Sequence, residues 1–112
     1  MSHISAALTV SKQGSIITVA VKGGAVETIR LGKTNMMVSK LGFGGVPIQR
    51  VSEDEAVAVV RRCLDLGITF FDTGAEYSNS EERIGKAIYG RRDGLVLATK
   101  SDCRTRQEVE SN

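Results

Sequence analysis

The chain has 112 residues, 41% of them hydrophobic and 25% charged, values close to those of an ordinary globular domain and enough for one domain or part of one. Its 15 basic and 13 acidic side chains give a formal charge of +2, too small and too dispersed to point to a nucleic acid or a membrane surface as partner. No apolar run approaches the roughly 20 residues of a membrane span, and the first residues lack the basic and compact apolar regions of a secretory signal, so the expected location is the cytoplasm. Cys63 and Cys103 stand far apart with no neighbouring cysteine. That excludes a CxxC redox pair and a zinc knuckle, no metal site is expected, and two free thiols suit a reducing compartment.

Taken in chain order, Ser2 to Lys12 has no sustained period, and Ser15-Ile-Ile-Thr-Val-Ala-Val21 is a short β-prone run ended by Gly23-Gly24. Composition favours a disordered or unrelated leader over an added strand for residues 1–25. From Glu27 the pattern becomes regular, and Thr28 to Leu31, the Gly32-Lys-Thr-Asn35 turn and Met36 to Leu41 suit a β-hairpin. Leu41-Gly-Phe-Gly-Gly45 is a strand-like run that ends in glycines before the only proline, Pro47. Ser52-Glu-Asp-Glu55 has the form of a capping box, behind which Ala56, Val59, Val60, Cys63 and Leu64 share one helical face until Gly67. Ile68-Thr-Phe-Phe71 is a strand run ending at Asp72, Glu81 to Tyr89 reads as a helix with Ile84, Ala87 and Ile88 inward, and Leu95 to Thr99 is a further strand ending at Lys100. Thr105-Arg-Gln-Glu108 resembles a second capping box, opening a helix near Asn112.

Near-continuous apolar strands alternating with amphipathic helices predict parallel pairing in an α/β fold. Right-handed crossovers then carry the strand ends at Gly44, Asp72 and Lys100 to one edge of the sheet, where α/β enzymes place their sites. Asp72 and Lys100 on successive strand ends bring opposite charges side by side, each favouring the other's ionised form. Tyr77, in the Gly74-Ala-Glu-Tyr-Ser-Asn79 loop above the same edge, comes within reach of the ammonium. A nearby cation lowers a phenol's pKa, and such a tyrosine can protonate a carbonyl oxygen as hydride reaches the carbon.

Leu41-Gly-Phe-Gly-Gly45, Phe71-Asp-Thr-Gly-Ala-Glu-Tyr77, Ser80-Glu-Glu-Arg-Ile-Gly-Lys-Ala87 and Ala98-Thr-Lys-Ser101, in this order, resemble the aldo-keto reductases across about residues 27–101. The resemblance implies an α/β fold, part of a (β/α)8 TIM barrel, with an amino-terminal hairpin at residues 27–40, barrel strand one at 41–45 and about three βα units. With the leader over 1–25 set apart by composition, it assigns 26–112 to the amino-terminal part of the barrel. It further implies reduction of a small aldehyde or ketone with NADPH or NADH. By position Tyr77 would be the general acid, Lys100 its cationic neighbour, and Asp72 the lysine's partner and a contact to the cofactor. Gly44, Gly45 and Val46 would border the nicotinamide, with the hydride belonging to the cofactor.

Two departures accompany it. Gly74 stands where the family has a small alanine or serine, which loosens the loop that carries Tyr77. The family's catalytic histidine has no counterpart, because the only histidine is His3, in the leader.

Each residue also has an ordinary reading: Asp72 as a loop carboxylate, Lys100 as a solvated strand terminus, Tyr77 as a packing aromatic, Arg91-Arg92-Asp93 as a solvated turn, Cys103 as a plain loop thiol. Pro47 at the third glycine position speaks against a Rossmann phosphate loop. A complete barrel takes about 250 residues, so the expectation is a truncated chain, inactive alone, whose exposed barrel edges favour self-association. The natural start is expected near Glu27, with upstream material before it. Beside the reductase stand two alternatives, a non-catalytic barrel remnant that binds itself or a partner and a small doubly wound domain. The latter gives Asp72, Tyr77 and Lys100 no reason to converge.

Overall fold

Residues 15–21 are rich in β-branched side chains, which suit a pleated strand. In the computed structural model, which describes residues 5–12, 15–22 and 26–111, they lie in β2 (Ser15–Lys22), paired antiparallel with β1 (Ser5–Lys12) in a register from Ser5↔Lys22 to Lys12↔Ser15. The first of these strands is not evident from composition, since Ala6 and Ala7 have little β preference and pairing with β2 supplies what local propensity lacks. Part of the leader is thus paired strand where composition argues for a disordered or unrelated segment. His3 and Gly23-Gly24 lie outside the described residues.

The hairpin expected over 27–40 is present as β3 (Thr28–Arg30) and β4 (Met37–Ser39), with Ile29 opposite Val38. Leu31 N–H donates to the Met36 carbonyl at 2.9 Å, and Gly32, at φ 56°, takes the left-handed backbone that the bend requires. Ser39 N–H donates to Thr69 Oγ1 and Thr69 N–H to Ser39 Oγ, both at 2.9 Å, so the hairpin's last strand is tied to the entry of the next sheet.

That sheet contains β5 (Phe43–Gly44), β6 (Phe70–Asp72) and β7 (Val96–Ala98), ordered β5-β6-β7 and parallel throughout. Its register sets Gly44 beside Asp72 and Asp72 beside Ala98, so the glycine-ended strand, the aspartate and the approach to Lys100 end on one edge. The strands are shorter than the apolar runs that announce them, Ile68 and Thr69 serving as approach to β6.

Between β5 and β6 run a short 3-10 turn at Pro47–Arg50 and then α1 (Glu53–Asp65). The predicted capping box is formed: Glu55 N–H donates to Ser52 Oγ and Ser52 N–H to Glu55 Oε2, each at 3.2 Å. Ser52→Ala removes one of the two reciprocal bonds and is expected to lower stability by about 1 kcal/mol, read as a lower urea midpoint with unchanged slope. At the other end Gly67, at φ 88°, closes the helix while Ile68 N–H reaches back to the Cys63 carbonyl at 3.0 Å.

The second helix, α2 (Ser80–Ile88), links β6 to β7, starting one residue earlier than its apolar period suggests and leaving Tyr89 89% exposed. α3 (Arg106–Ser111) is opened by the second capping box, with Glu108 N–H donating to Thr105 Oγ1 at 3.2 Å and Glu108 Oε2 accepting from Thr105 N–H at 3.0 Å.

The core lies where α1 and α2 cover the sheet: Phe43 and Phe71, ring centroids 5.6 Å apart and tilted by 47°, pack with Ile48, Val60, Cys63 and Ile84. Cys63 is a core residue, as its helical face predicts, and burial pushes its thiol up to about 12. It is expected to resist iodoacetamide at neutral pH and to react once the chain is unfolded in urea, as peptide mass mapping would report.

Candidate active site

Asp72 is the last residue of β6, and Lys100 lies two residues beyond the end of β7. Because the two strands are neighbours in register, Lys100 Nζ comes within 3.3 and 3.4 Å of the two Asp72 carboxylate oxygens. Its shortest bond is elsewhere: Nζ donates to the Thr73 carbonyl at 2.9 Å. Both members of the ion pair are about half exposed, 50% for Lys100 and 55% for Asp72, so water screens their attraction and the backbone carbonyl is the firmer anchor.

Tyr77 completes the cluster. The Lys100 ammonium sits 4.8 Å from the centre of its half-buried ring. The phenol hydroxyl, ahead of the Asp72 carboxylate, holds the Lys100 ammonium above its ordinary pKa. The three residues converge at one edge of the sheet, which the doubly wound alternative gives them no reason to do. Within the loop, Tyr77 N–H donates to the Gly74 carbonyl at 3.0 Å and Ser80 N–H to the Tyr77 carbonyl at 2.9 Å. A Cβ on Gly74 would meet the Tyr77 ring and the Lys100 stem at 3.4 Å, so glycine leaves out a packing contact that alanine would make without a clash.

Beneath these side chains lies a buried polar chain that sequence reasoning missed. Thr73 Oγ1 donates to Ser80 Oγ at 2.8 Å, Ser80 Oγ donates to the Gly45 carbonyl at 2.8 Å, and Gly45 N–H donates to the Asp72 carbonyl at 2.7 Å. Thr73, Gly45 and Ser80 are all buried. The ends of β5 and β6 and the start of α2 are thereby locked together. Arg83 of α2 adds a second tie, its guanidinium donating to the Ile48 carbonyl and, at 2.6 Å, to the Val51 carbonyl, which fixes the turn after Gly44, Gly45 and Val46.

Of the residues expected to border a cofactor, Gly44 is exposed with no heavy atom within 4 Å of an added Cβ, Gly45 is buried with no room for one, and Val46 is half-buried at the head of the 3-10 turn. Cys103 is half-buried, and Arg91 and Arg92 are exposed, Arg91 bonded to Asp65 at 2.9 Å. Among the described residues no group of three histidines, cysteines or carboxylates could hold a metal ion, and no helix is long and apolar enough to cross a membrane.

The parallel sheet β5-β6-β7, crossed by α1 and α2, has the architecture of part of a (β/α) barrel, and Asp72, Tyr77 and Lys100 come together beyond its strand ends. The aldo/keto reductase family model matches residues 40–112, and the chain belongs to that family of oxidoreductases. It is 42% identical over 84 residues to L-galactose dehydrogenase of Arabidopsis thaliana, covering 67% of this chain and 26% of that protein. Against the aldo-keto reductase YhdN of Bacillus subtilis it is 36% identical over 85 residues, covering 68% and 26%. Among solved structures it resembles the holo form of an aldo-keto reductase from Bacillus halodurans, with a TM-score of 0.64 and 36% identity over 73% of this chain and 28% of that one. The chain spans about a quarter of the length of the relatives it matches, and the architecture is that of a partial α/β barrel.

Proposed function

We propose that these residues carry the proton-transfer side of an aldehyde or ketone reduction dependent on NADPH, or alternatively NADH. The observation that carries the reading is the single cluster in which Lys100 Nζ lies 4.8 Å over the Tyr77 ring and 3.3 Å from Asp72. The open backbone at Gly44 and the half-exposed Asp72 carboxylate fit the nicotinamide end of the cofactor, with Gly45 and Val46 bordering it. When bound, the cofactor supplies the hydride. Tyr77 donates its hydroxyl proton to the carbonyl oxygen, and the Lys100 ammonium stabilises the phenolate that remains. Thr73 O and Asp72 hold that ammonium in place.

Purified chain assayed for NADPH oxidation with a panel of aldehydes, beside Tyr77→Phe, tests the reading. Turnover abolished by the substitution supports it, and equal turnover by both proteins sinks it.

A second reading, self-association through the barrel edges, is favoured by one feature. β7 is an outer strand of its sheet, and the cleft of about 160 Å³ between it and α2 is lined by Phe71, Ile84, Ile88 and the 37% exposed Leu97. A concentration-dependent oligomer that binds no cofactor would establish this reading in place of the first.

A further inference from the structure

The loop bonds around Tyr77 set its shape but not its position over β7, since Tyr77 N–H to Gly74 and Ser80 N–H to Tyr77 both stay within residues 74–80. Position depends on what crosses to the segment after β7. The parallel ladder runs past the strand ends: Thr73 N–H donates to the Ala98 carbonyl and Ala75 N–H to the Lys100 carbonyl, both at 2.8 Å. In a regular parallel ladder the next donor, Asp102 N–H, would go to the Ala75 carbonyl. Here it goes to a side chain, donating to Glu76 Oε1 at 2.9 Å.

We infer that Glu76 is a positioning residue for Tyr77: its carboxylate takes over the last rung of the β6–β7 ladder and so holds the Tyr77 ring against the Lys100 ammonium. Glu76 is exposed and stands one residue before the half-buried Tyr77, whose ring meets the Lys100 ammonium at 4.8 Å. The Asp102 N–H is also the main reason the Glu76 carboxyl lies below the usual carboxylate range, with the Lys100 charge acting in the same direction and the Asp102 side chain as its other titratable neighbour. The catalytic importance of this rests on Tyr77 being the proton donor, as proposed above.

Lys100 lies over an aromatic face, so ring current shields its ε-methylene protons, and NMR of the full chain reads the contact without turnover. Wild type is expected to show those protons upfield of the other lysines and a slowly exchanging Asp102 amide. Glu76→Ala is expected to lose both signals, and Glu76→Gln, whose amide oxygen accepts the same bond, to keep both. Retention of the upfield shift in Glu76→Ala, its absence from wild type, or a Glu76→Gln variant that behaves like alanine would each overturn the inference. Failure of the proton-donor reading registers elsewhere, in the turnover of Tyr77→Phe, which keeps an aromatic ring and with it the NMR signature.

Discussion

If the chain reduces carbonyls as proposed above, Tyr77→Phe is expected to lower kcat by about 10² to 10⁴, the usual contribution of a positioned general acid, while NADPH affinity stays unchanged. The phenol hydroxyl is the only group the substitution removes, and the ring that packs beneath Lys100 remains. Lys100→Met should fall in the same range, since it deletes the cation that stabilises the phenolate. Asp72→Asn should behave differently. Lys100 keeps its 2.9 Å bond to the Thr73 carbonyl when the carboxylate is neutralised, and the half-exposed ion pair at 3.3 Å is screened by water. The loss through Lys100 alone should therefore be small, below about tenfold. Steady-state kinetics of the three variants would decide the order. An Asp72→Asn loss as large as that of Lys100→Met would mean that the carboxylate's proposed contact to the cofactor outweighs its effect through the lysine.

That contrast marks what the sequence could and could not reveal. Features whose physics is local were legible: the two capping boxes, Ser52 with Glu55 and Thr105 with Glu108, depend on residues three apart, and both form. Strand ends were legible at Gly44 and Asp72 because an apolar run stopped abruptly there, and their alignment followed from parallel pairing. The Asp72, Tyr77 and Lys100 cluster was legible through the order of those ends. By contrast, the anchor of Lys100 is a main-chain oxygen, and a carbonyl has no sequence signature. Ser80 bonds Gly45 across 35 residues, a contact that exists only once β5 and β6 are in register. In sequence it only precedes the helix expected from Glu81, whereas the structure buries its hydroxyl against Thr73 and Gly45. Glu76 is similar, an exposed loop glutamate until Asp102 is brought beneath it. The strand Ser5–Lys12 was missed for a related reason, its stability lying in the partner strand rather than in its own residues.

The buried chain beneath the site leads to the strongest expected effect on stability. A Cβ on Gly45 would stand 2.5 Å from Ser80 Oγ, 3.0 Å from Thr73 Oγ1 and 3.1 Å from the Asp72 carbonyl oxygen, so Gly45→Ala cannot be accommodated by one small shift. Rotating the Ser80 hydroxyl away would give up its bonds to Thr73 and to the Gly45 carbonyl. The buried groups left without partners would cost about 1 to 3 kcal/mol, and the overpacking against the Asp72 backbone a comparable ~1 to 3 kcal/mol. A loss on the order of 3 kcal/mol is therefore expected, a large part of the roughly 5 to 15 kcal/mol available to a whole domain. Gly44 provides the internal comparison. With no heavy atom within 4 Å of its added Cβ, Gly44→Ala should be close to neutral in stability, although it borders the proposed cofactor surface. Adding Ser80→Ala to Gly45→Ala removes the oxygen that clashes hardest, so the double variant should be more stable than the two single losses sum to. Urea unfolding of the wild type and the four variants, Ser80→Ala alone among them, measures this directly. Equal midpoints for Gly44→Ala and Gly45→Ala, or strict additivity in the double variant, would show that the ends of β5 and β6 are not locked through Ser80.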